Sequence, residues 1–277
     1  MQGQETTPRS AEAADTDADG APALVGDGLR IGYSTTDEPV VVCDRVVLPA
    51  GEMTALVGPN GSGKSTLLKA LAGQLRPAAG TVELGGRDVY AMGKKSLARA
   101  VGLLTQEGDT PDSLTVEELV RHGRYPHRGF LETLSEADHA AVEQALSVAG
   151  VADLRDVEVG TLSGGQQQLA RVAMVLAQEP DVLLLDEPTT FLDLRHQLSV
   201  LDTVRERNHA DDITVGIVLH DIAQAARYAD NIIALRDGEP YDWGPPDEVV
   251  TEQLLADVFG VAATVREGPE VVPHRPL

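Results

Sequence analysis

Apolar and polar residues alternate with a period of two near the start of the chain, which is typical of β-strands. The alternation begins near Leu24 and runs through Leu29, Ile31 and Tyr33. Further along, short apolar runs predict more strands, and the first helical period follows a glycine-rich loop. The elements so predicted are strands over residues 40–48, 53–57 and 80–84 and a helix over residues 64–74.

From residue 113 to residue 162 the spacing of apolar residues changes to that of amphipathic helices. Thr115 starts a capping-box sequence, T-V-E-E, and a long amphipathic segment covers residues 136–149. Residues 166–178 are again helical, and the two apolar runs that follow them, VLLLD and TVGIVLH, predict fully buried parallel strands. This order predicts an α/β core with a helical subdomain inserted into it.

The first stretch of the chain, residues 1–22, has no apolar periodicity and is rich in Ala, Asp, Glu, Thr and Gly. That composition predicts a disordered acidic tail. The stretch also lacks the basic and apolar regions of a signal peptide. No apolar run in the sequence approaches the ~18 residues that a membrane-spanning helix requires.

The charge balance of the chain is strongly acidic, with 44 Asp and Glu against 22 Lys and Arg and a net charge of −22. A field of that sign repels DNA, RNA and anionic lipid, so no nucleic-acid partner is expected. A solvated acidic surface of this kind is typical of salt-adapted cytoplasms. The single cysteine, Cys43, excludes an intrachain disulfide and a CxxC zinc site, and it favours a reducing compartment.

The glycine-rich loop before the first predicted helix fits the pattern GxxxxGK[ST]. Its glycines free consecutive backbone N–H groups to wrap phosphates, and the helix N-terminus adds a positive dipole end. Lys64 is expected to reach the β- and γ-phosphates and Ser65 to offer its hydroxyl to Mg²⁺. The alternative is a glycine-rich turn that matches by chance. The residues expected to bind nucleotide are Gly58, Pro59, Asn60, Gly61, Ser62, Gly63, Lys64, Ser65 and Thr66.

The apolar run VLLLD ends in Asp186, and Glu187 follows at once. In open α/β sheets, ligands bind beyond the carboxyl ends of the strands. Asp186 is therefore expected to hold Mg²⁺, directly or through water, and Glu187 to polarise an attacking water as general base. The alternative is a buried strand that merely ends in an aspartate.

A third motif, LSGGQ, directly precedes a predicted helix. Ser163 can cap that helix, while Gly164 and Gly165 leave backbone N–H groups uncovered at its positive end. A plain capped helix start explains these residues equally well. A nucleotide loop together with a separate anion-binding helix end favours a head-to-tail pair of chains, each closing the other's site.

Taken together, these motifs resemble the ATP-binding subunits of ABC transporters over roughly residues 24–260, with LSGGQ as the family signature. The resemblance implies that Tyr33 stacks on adenine and that Gln106 contacts Mg²⁺ and water. It also implies that Asp193 lies in the D-loop and that the switch histidine His220 contacts the γ-phosphate. The signature residues expected to bind nucleotide are Ser163, Gly164, Gly165 and Gln166.

Plainer roles stay open for three of these residues. Tyr33 could instead be an aromatic residue of a core strand, and Gln106 an ordinary polar residue at a strand end. His220 could instead be a core histidine whose hydrogen bonds are satisfied within the protein. The remaining histidines show no ligand spacing and are expected to be surface or packing residues: His122, His127, His139, His196, His209 and His274.

Within the family, the stretches 113–127, 162–197 and 218–239 are similar to the subgroup that serves iron–siderophore, haem and cobalamin importers, and 258–277 is similar to its C-terminal extension. Two departures leave the cargo open. Gln167 and Gln168 stand where a basic residue is common, and residues 240–243 (PYDW) replace the usual apolar strand.

The fold implied by the resemblance is an α/β P-loop NTPase core with an N-terminal antiparallel β portion and an inserted α-helical subdomain. The ABC ATP-binding domain would cover residues 23–260, with the helical subdomain at about 107–165, and a short C-terminal extension would cover residues 261–277.

The function implied is ATP hydrolysis for import of a metal chelate, most of all iron(III)-siderophore. Two chains would sandwich two MgATP as a homodimer at the cytoplasmic face of the membrane, working with a membrane permease and indirectly with an extracellular binding protein. Transport of another solute and iron–sulfur assembly are the alternatives. A chromosome or DNA-repair ATPase would carry a long coiled coil, a translation-type factor two phosphate loops, and an exporter usually its own membrane span.

Overall fold

The structure is a computed structural model that describes residues 23–33, 38–106, 111–129, 133–266, 268 and 270–277. The predicted acidic tail, residues 1–22, lies outside these residues. The strands are β1 (Leu24–Ile31), β2 (Val41–Leu48), β3 (Met53–Val57), β4 (Ala79–Leu84), β5 (Arg87–Asp88), β6 (Val101–Leu104), β7 (Val182–Asp186), β8 (Thr214–Val218), β9 (Asn231–Arg236), β10 (Glu239–Gly244), β11 (Val261–Arg266) and β12 (Glu270–Pro276). The helices are α1 (Lys64–Leu71), α2 (Lys94–Ala100), α3 (Val116–Arg121), α4 (Glu136–Val148), α5 (Gly164–Leu176), α6 (Leu194–Asp211), α7 (Ile222–Tyr228), α8 (Pro246–Val249) and α9 (Glu252–Phe259).

The described strands form one antiparallel sheet, one mostly parallel sheet and a hairpin. The first has the order β2-β1-β4-β5 and the second the order β10-β9-β3-β8-β7-β6, while β11 pairs with β12. In the second sheet, β9, β3, β8, β7 and β6 run parallel, and β10 pairs antiparallel at one edge. The predicted α/β fold class with an N-terminal antiparallel portion is confirmed.

The strands of the parallel sheet are buried on both faces, because their side chains alternate between two apolar clusters. Leu56 of β3 and Leu184 of β7 join the cluster that contains α1 and the antiparallel sheet. Ala55 and Leu185, one residue away, join the cluster that contains the helices α3 to α6. The parallel sheet is thus the middle layer. Since β8 lies between β3 and β7, the carboxyl ends of all three strands meet at one edge.

Among the element boundaries that differ from the predicted ones, two are explained by hydrogen bonding. Helix α1 ends at Leu71 rather than residue 74, because the backbone N–H groups of Gly73 and Gln74 turn back onto carbonyls of the helix in a tight turn. Helix α5 starts at Gly164 rather than residue 166, because Ser163 caps it.

Residues 240–243, which depart from the usual apolar strand, still form part of β10. The register against β9 shifts between Pro240 and Asp242. Proline has no backbone N–H to donate, so a position at a sheet edge with an irregular register is where a strand tolerates it.

The helices between β6 and β7 begin with capping boxes and are tied together by a buried ion pair. Thr115 caps α3 and Ser135 caps α4, each with the acidic residue three positions later. The buried Arg124 donates through Nε to Asp138 at 2.9 Å and through Nη1 to the carbonyl of Ala177. Arg124 thereby holds the start of α4 against the end of α5. The proposed boundaries of the helical subdomain stay a prediction.

None of the helices in the described ranges has both the length and the apolar character that a bilayer span requires.

We predict that Asp138→Asn lowers the free energy of unfolding by about 2 kcal/mol at neutral pH, since it removes the buried carboxylate that pairs with Arg124 and leaves only the half-exposed Glu179 as a charged partner. Hydrogen bonds from Ser135, followed by Arg124, hold the pKa of Asp138 well below its usual range. A lowered folded-state pKa contributes stability above the unfolded value of ~3.9, and this contribution is lost as the pH falls towards the folded value. Urea denaturation should therefore show the difference between the two proteins shrinking below about pH 4.

The exposed Asp156 provides the matched control, because Asp156→Asn removes a carboxylate from the same part of the chain. It should leave the urea midpoint nearly unchanged. A difference for Asp138→Asn that persists undiminished at pH 2 to 3 would contradict the role assigned to the ionised carboxylate.

Candidate nucleotide-binding site

A cleft of about 520 Å³ lies at the carboxyl edge of the parallel sheet. It is lined by the glycine-rich loop and the first residues of α1, together with Gln106, Glu187, Thr190, Phe191 and His220. Its size is within the range of small-molecule sites. The parallel sheet therefore brings together four motifs that are far apart in the sequence.

The backbone of the glycine-rich loop has dihedral angles that residues other than glycine rarely adopt. Gly58, Gly61 and Gly63 have φ angles of 146°, 80° and 95°, which suit glycine. A Cβ on Gly58 would fall 2.2 Å from the carbonyl oxygen of Leu235. Gly63 is the N-cap of α1 and provides no side-chain hydrogen bond, so the first N–H groups of the helix point outwards for an anion.

Lys64 is the buried cation of the cleft, with 4% of its surface exposed. Its Nζ donates to the carbonyl oxygens of Gly58 and Pro59, both at 2.9 Å. Burial lowers the pKa of Lys64, and the nearby carboxylates of Glu187 and Asp186 oppose that shift. A buried ammonium with two carbonyl partners retains a third donor direction, which suits a phosphate oxygen.

Ser65 and Asp186 form a pair of oxygen donors beside Lys64. The Ser65 hydroxyl donates to Asp186 Oδ1 at 2.7 Å. Asp186 is 2% exposed, and burial raises its pKa while the hydrogen bond from Ser65 opposes the shift. Buried carboxylate and hydroxyl oxygens are the hard ligands that Mg²⁺ prefers.

In the part of the chain that the structure describes, no group of three or more His, Cys, Asp or Glu side chains is arranged to hold a metal ion. A magnesium ion at Ser65 and Asp186 would therefore depend on the phosphates of the nucleotide for further ligands. That is how Mg²⁺ is commonly bound in nucleotide sites, so the donor set fits this ion.

Glu187 is the meeting point of three elements at the mouth of the cleft. Its Oε1 lies 2.7 Å from His220 Nε2, and its Oε2 accepts from Gln106 Nε2 at 2.9 Å and from Thr190 Oγ1 at 3.1 Å. Its backbone has a φ of 52°, which is uncommon for a residue with a side chain. These contacts hold the carboxylate in one direction.

Thr190 and Phe191 are two residues of the cleft that the sequence patterns did not single out. The Thr190 hydroxyl donates a hydrogen bond to Glu187. The only feature of the sequence that could have indicated this contact is that Thr190 lies three residues after Glu187. Phe191 is 97% exposed and has a φ of 63°, so an aromatic side chain stands in solvent at the lip of the cleft.

Tyr33 lies just after β1 and is 41% exposed, which excludes a fully buried core aromatic. Its hydroxyl is 3.2 Å from the Oγ1 of Thr66, the residue that lines the cleft next to Ser65. The aromatic side chain is thus tied to the nucleotide loop.

The signature residues are placed apart from this cleft. Ser163 caps α5 by accepting from the backbone of Gln166, and the Gln166 side chain accepts from Ser163 in return. The described residues that line the cleft do not include Ser163, Gly164, Gly165, Gln166 or Asp193. The start of α5 and the glycine-rich loop do not line the same cleft within one chain.

Comparison with known proteins bears on the family. The ABC transporter family model matches residues 45–190. The ferric enterobactin transport ATP-binding protein FepC of Escherichia coli (strain K12) is 44% identical over 89% of this chain and 90% of its own length. The hemin import ATP-binding protein HmuV of Streptomyces coelicolor is 43% identical over 90% of this chain and 89% of its own length.

A solved structure described as an inward-facing conformation of a metal-chelate type ABC transporter is also similar, with a TM-score of 0.76 and 27% identity. The match covers 92% of this chain and 98% of that one. The resemblance drawn from the motifs is confirmed: this chain belongs to the ABC transporter family, as one of its ATP-hydrolysing subunits.

Proposed function

We propose that this chain is the ATP-hydrolysing subunit of an importer for metal chelates, with iron(III)-siderophore as the first candidate cargo and haem or cobalamin as the others. The observation that carries this proposal is the near full-length identity of more than 40% to ATP-binding subunits for ferric enterobactin and hemin import. The similarity to a metal-chelate type transporter structure supports it.

The cleft supports a hydrolysis reaction that depends on positioning and charge neutralisation. The loop N–H groups and the Lys64 ammonium would hold the β- and γ-phosphates, and Tyr33 would stack on the adenine. Ser65, Asp186 and Gln106 would hold Mg²⁺, which when bound offsets the negative charge of the phosphates. Glu187 would take a proton from the attacking water.

His220 and Gln106 hold the Glu187 carboxylate from two sides. With nucleotide bound, we propose that His220 turns towards the γ-phosphate and Gln106 towards the water. Both residues would then leave the carboxylate of Glu187 free to act as the general base.

The separation of the signature from the cleft supports a homodimer. If Ser163, Gly164, Gly165 and Gln166 of one copy cover the nucleotide in the loop of a second copy, both anion-binding ends are used and two MgATP are enclosed. Asp193 would lie at the same seam. Opening of this pair after hydrolysis would be passed to the membrane partner by the helices between β6 and β7.

We further propose that the chain sits peripherally at the cytoplasmic face of the membrane, bound to a permease that receives the cargo from an extracellular binding protein. Its net charge of −22 opposes binding to nucleic acid and to anionic lipid. Attachment would therefore depend on the permease.

We predict that Glu187→Gln keeps ATP binding and lowers the turnover number by about a hundredfold or more, because it removes the base and keeps the side-chain size. The variant should also elute as an ATP-dependent dimer in size-exclusion chromatography. Lys64→Ala should differ by losing nucleotide affinity itself, since the buried ammonium is removed from the phosphates.

Two exposed residues provide matched controls: Glu206→Gln on α6 and Lys94→Ala on α2 make the same changes away from the cleft. Both should behave as wild type in nucleotide titration and ATPase assays. Near wild-type turnover in Glu187→Gln would exclude its role as general base, and a monomer at saturating ATP would exclude the dimer.

The cargo is tested by transport. Co-purified with its permease and placed in liposomes with the matching binding protein, the chain should drive ATP-dependent uptake of a ferric siderophore, while haem and cobalamin serve as the competing cargoes. The Glu187→Gln complex should show no uptake. ATPase activity that none of the three cargoes stimulates would overturn import of a metal chelate and leave the ATPase assignment standing.

The acidic surface leads to a prediction about salt. Repulsion among the excess carboxylates is screened as the Debye length falls to ~3 Å near 1 M salt. The melting temperature should therefore rise between low and molar KCl, as in a salt-adapted protein. A flat or falling melting temperature over that range would exclude salt adaptation as the reason for the acidity.

A further inference from the structure

Two helices of the candidate nucleotide machinery start side by side. Helix α5 begins after Ser163 in the signature, and α6 begins after Asp193. His196, in the first turn of α6, fills the space between the two helix starts. The sequence offered His196 only as a surface or packing residue, and the structure gives it two specific contacts.

The first contact is with Asp193, which caps α6. Its Oδ1 accepts from the backbone N–H of His196 at 2.9 Å and lies 2.8 Å from the ring Nδ1. The hydrogen bonds from His196 hold the pKa of Asp193 below its usual range. Because an ionised carboxylate only accepts hydrogen bonds, the proton is on Nδ1, and the ring orientation is fixed.

The second contact is with Gly165 in the signature. A Cβ on Gly165 would fall 2.3 Å from the ring Cγ of His196 and 2.5 Å from its Cδ2. The ring therefore lies directly against the α-carbon of Gly165, and its side chain is only 27% exposed. No side chain larger than that of glycine fits at this position while His196 keeps its rotamer.

The two contacts link the start of α5 to the start of α6, and both helix starts contain residues proposed to bind the nucleotide. Asp193 holds the ring from the α6 side, and the ring sets how closely the first turn of α5 approaches α6. The Asp193 carboxylate also lies at the N-terminal end of α6, where the helix dipole favours a negative charge. A shift of either helix start would be transmitted to the other through one imidazole ring.

We propose that His196 is a positioning residue that fixes Gly165 of the signature relative to Asp193 of the same chain, so that both reach the nucleotide of a second copy together. This inference rests on the proposed function, in which the signature of one copy closes the ATP site of the other. His196 is not among the described residues that line the cleft.

The first test compares His196→Ala with His209→Ala, an exposed histidine at the far end of the same helix. His196→Ala should leave ATP affinity of the separate chain unchanged, since the phosphate loop is intact. Its kcat should fall roughly ten- to a hundredfold, the scale of a lost positioning contact. In a Glu187→Gln background it should shorten the lifetime of the ATP-bound dimer, whereas His209→Ala should match wild type in every assay.

The second test separates the hydrogen bond from the packing. His196→Asn keeps a donor for Asp193 but removes the ring from Gly165, and His196→Phe keeps the ring but removes the donor. Each should restore part of the kcat that His196→Ala loses. If His196→Ala fails to fold, the two variants are compared with wild type, and wild-type kcat in both would overturn the proposed contacts. Failure of both variants to exceed the activity of His196→Ala would overturn the proposed contacts.

The third test is a double-mutant cycle on the melting temperature. Gly165→Ala should lower the melting temperature in the wild-type background, because its methyl group meets the ring, and less so when His196→Ala has made room. Equal effects in both backgrounds would mean that the ring does not position Gly165.

The outcomes distinguish this inference from the function beneath it. If the wild-type chain hydrolyses ATP and forms the dimer, while His196→Ala retains both properties in full, the role of His196 is wrong and the function stands. A wild-type chain that neither hydrolyses ATP nor dimerises would overturn both.

Discussion

The parallel pairing of β3, β8 and β7 is the constraint on which the candidate site depends. Parallel strands end at the same edge of a sheet, so the glycine-rich loop after β3 and the pair Asp186 and Glu187 at the end of β7 meet. His220 follows β8 and lies between them. Two apolar clusters bury both faces of the sheet and keep these strands in register. The functional groups are therefore held by rigid strand ends.

Buried charge gives the cleft its chemistry. Lys64 and Asp186 are almost completely buried in a chain that is otherwise covered in carboxylates. Burial lowers the pKa of Lys64 and raises that of Asp186, so it favours the neutral form of each group. Loop carbonyls accept hydrogen bonds from Lys64, and the Ser65 hydroxyl donates one to Asp186. A ligand that brings phosphates and a divalent cation would complete both environments at once.

The helices carry the second half of the arrangement. The buried Arg124 anchors α4 to the end of α5, and His196 fixes the start of α5 against α6. The helix that follows the signature is thus held at its end by a hydrogen bond from Arg124 and at its start by packing against the His196 ring. Such contacts let the helix move as a rigid unit, which suits the proposed role of these helices in passing motion to a membrane partner.

The sequence by itself determined the local elements and the chemistry of single motifs. Periodicity located the strands β2, β3, β4 and β7, and the capping boxes at Thr115 and Ser163 formed as their residue types require. These features depend on neighbours within a few residues, so the pattern contains them. The glycine loop, Lys64 and Ser65 were recognisable for the same reason.

Only the tertiary structure decided which distant residues meet. Glu187 joins Gln106 and His220 because strand order brings three loops together, and no spacing in the sequence records that order. His196 meets Gly165 because α5 lies beside α6, and no motif of its own signals that contact. The signature residues lie away from the cleft because α5 belongs to a different layer from the phosphate loop, and such placement is a property of packing that a linear pattern does not contain.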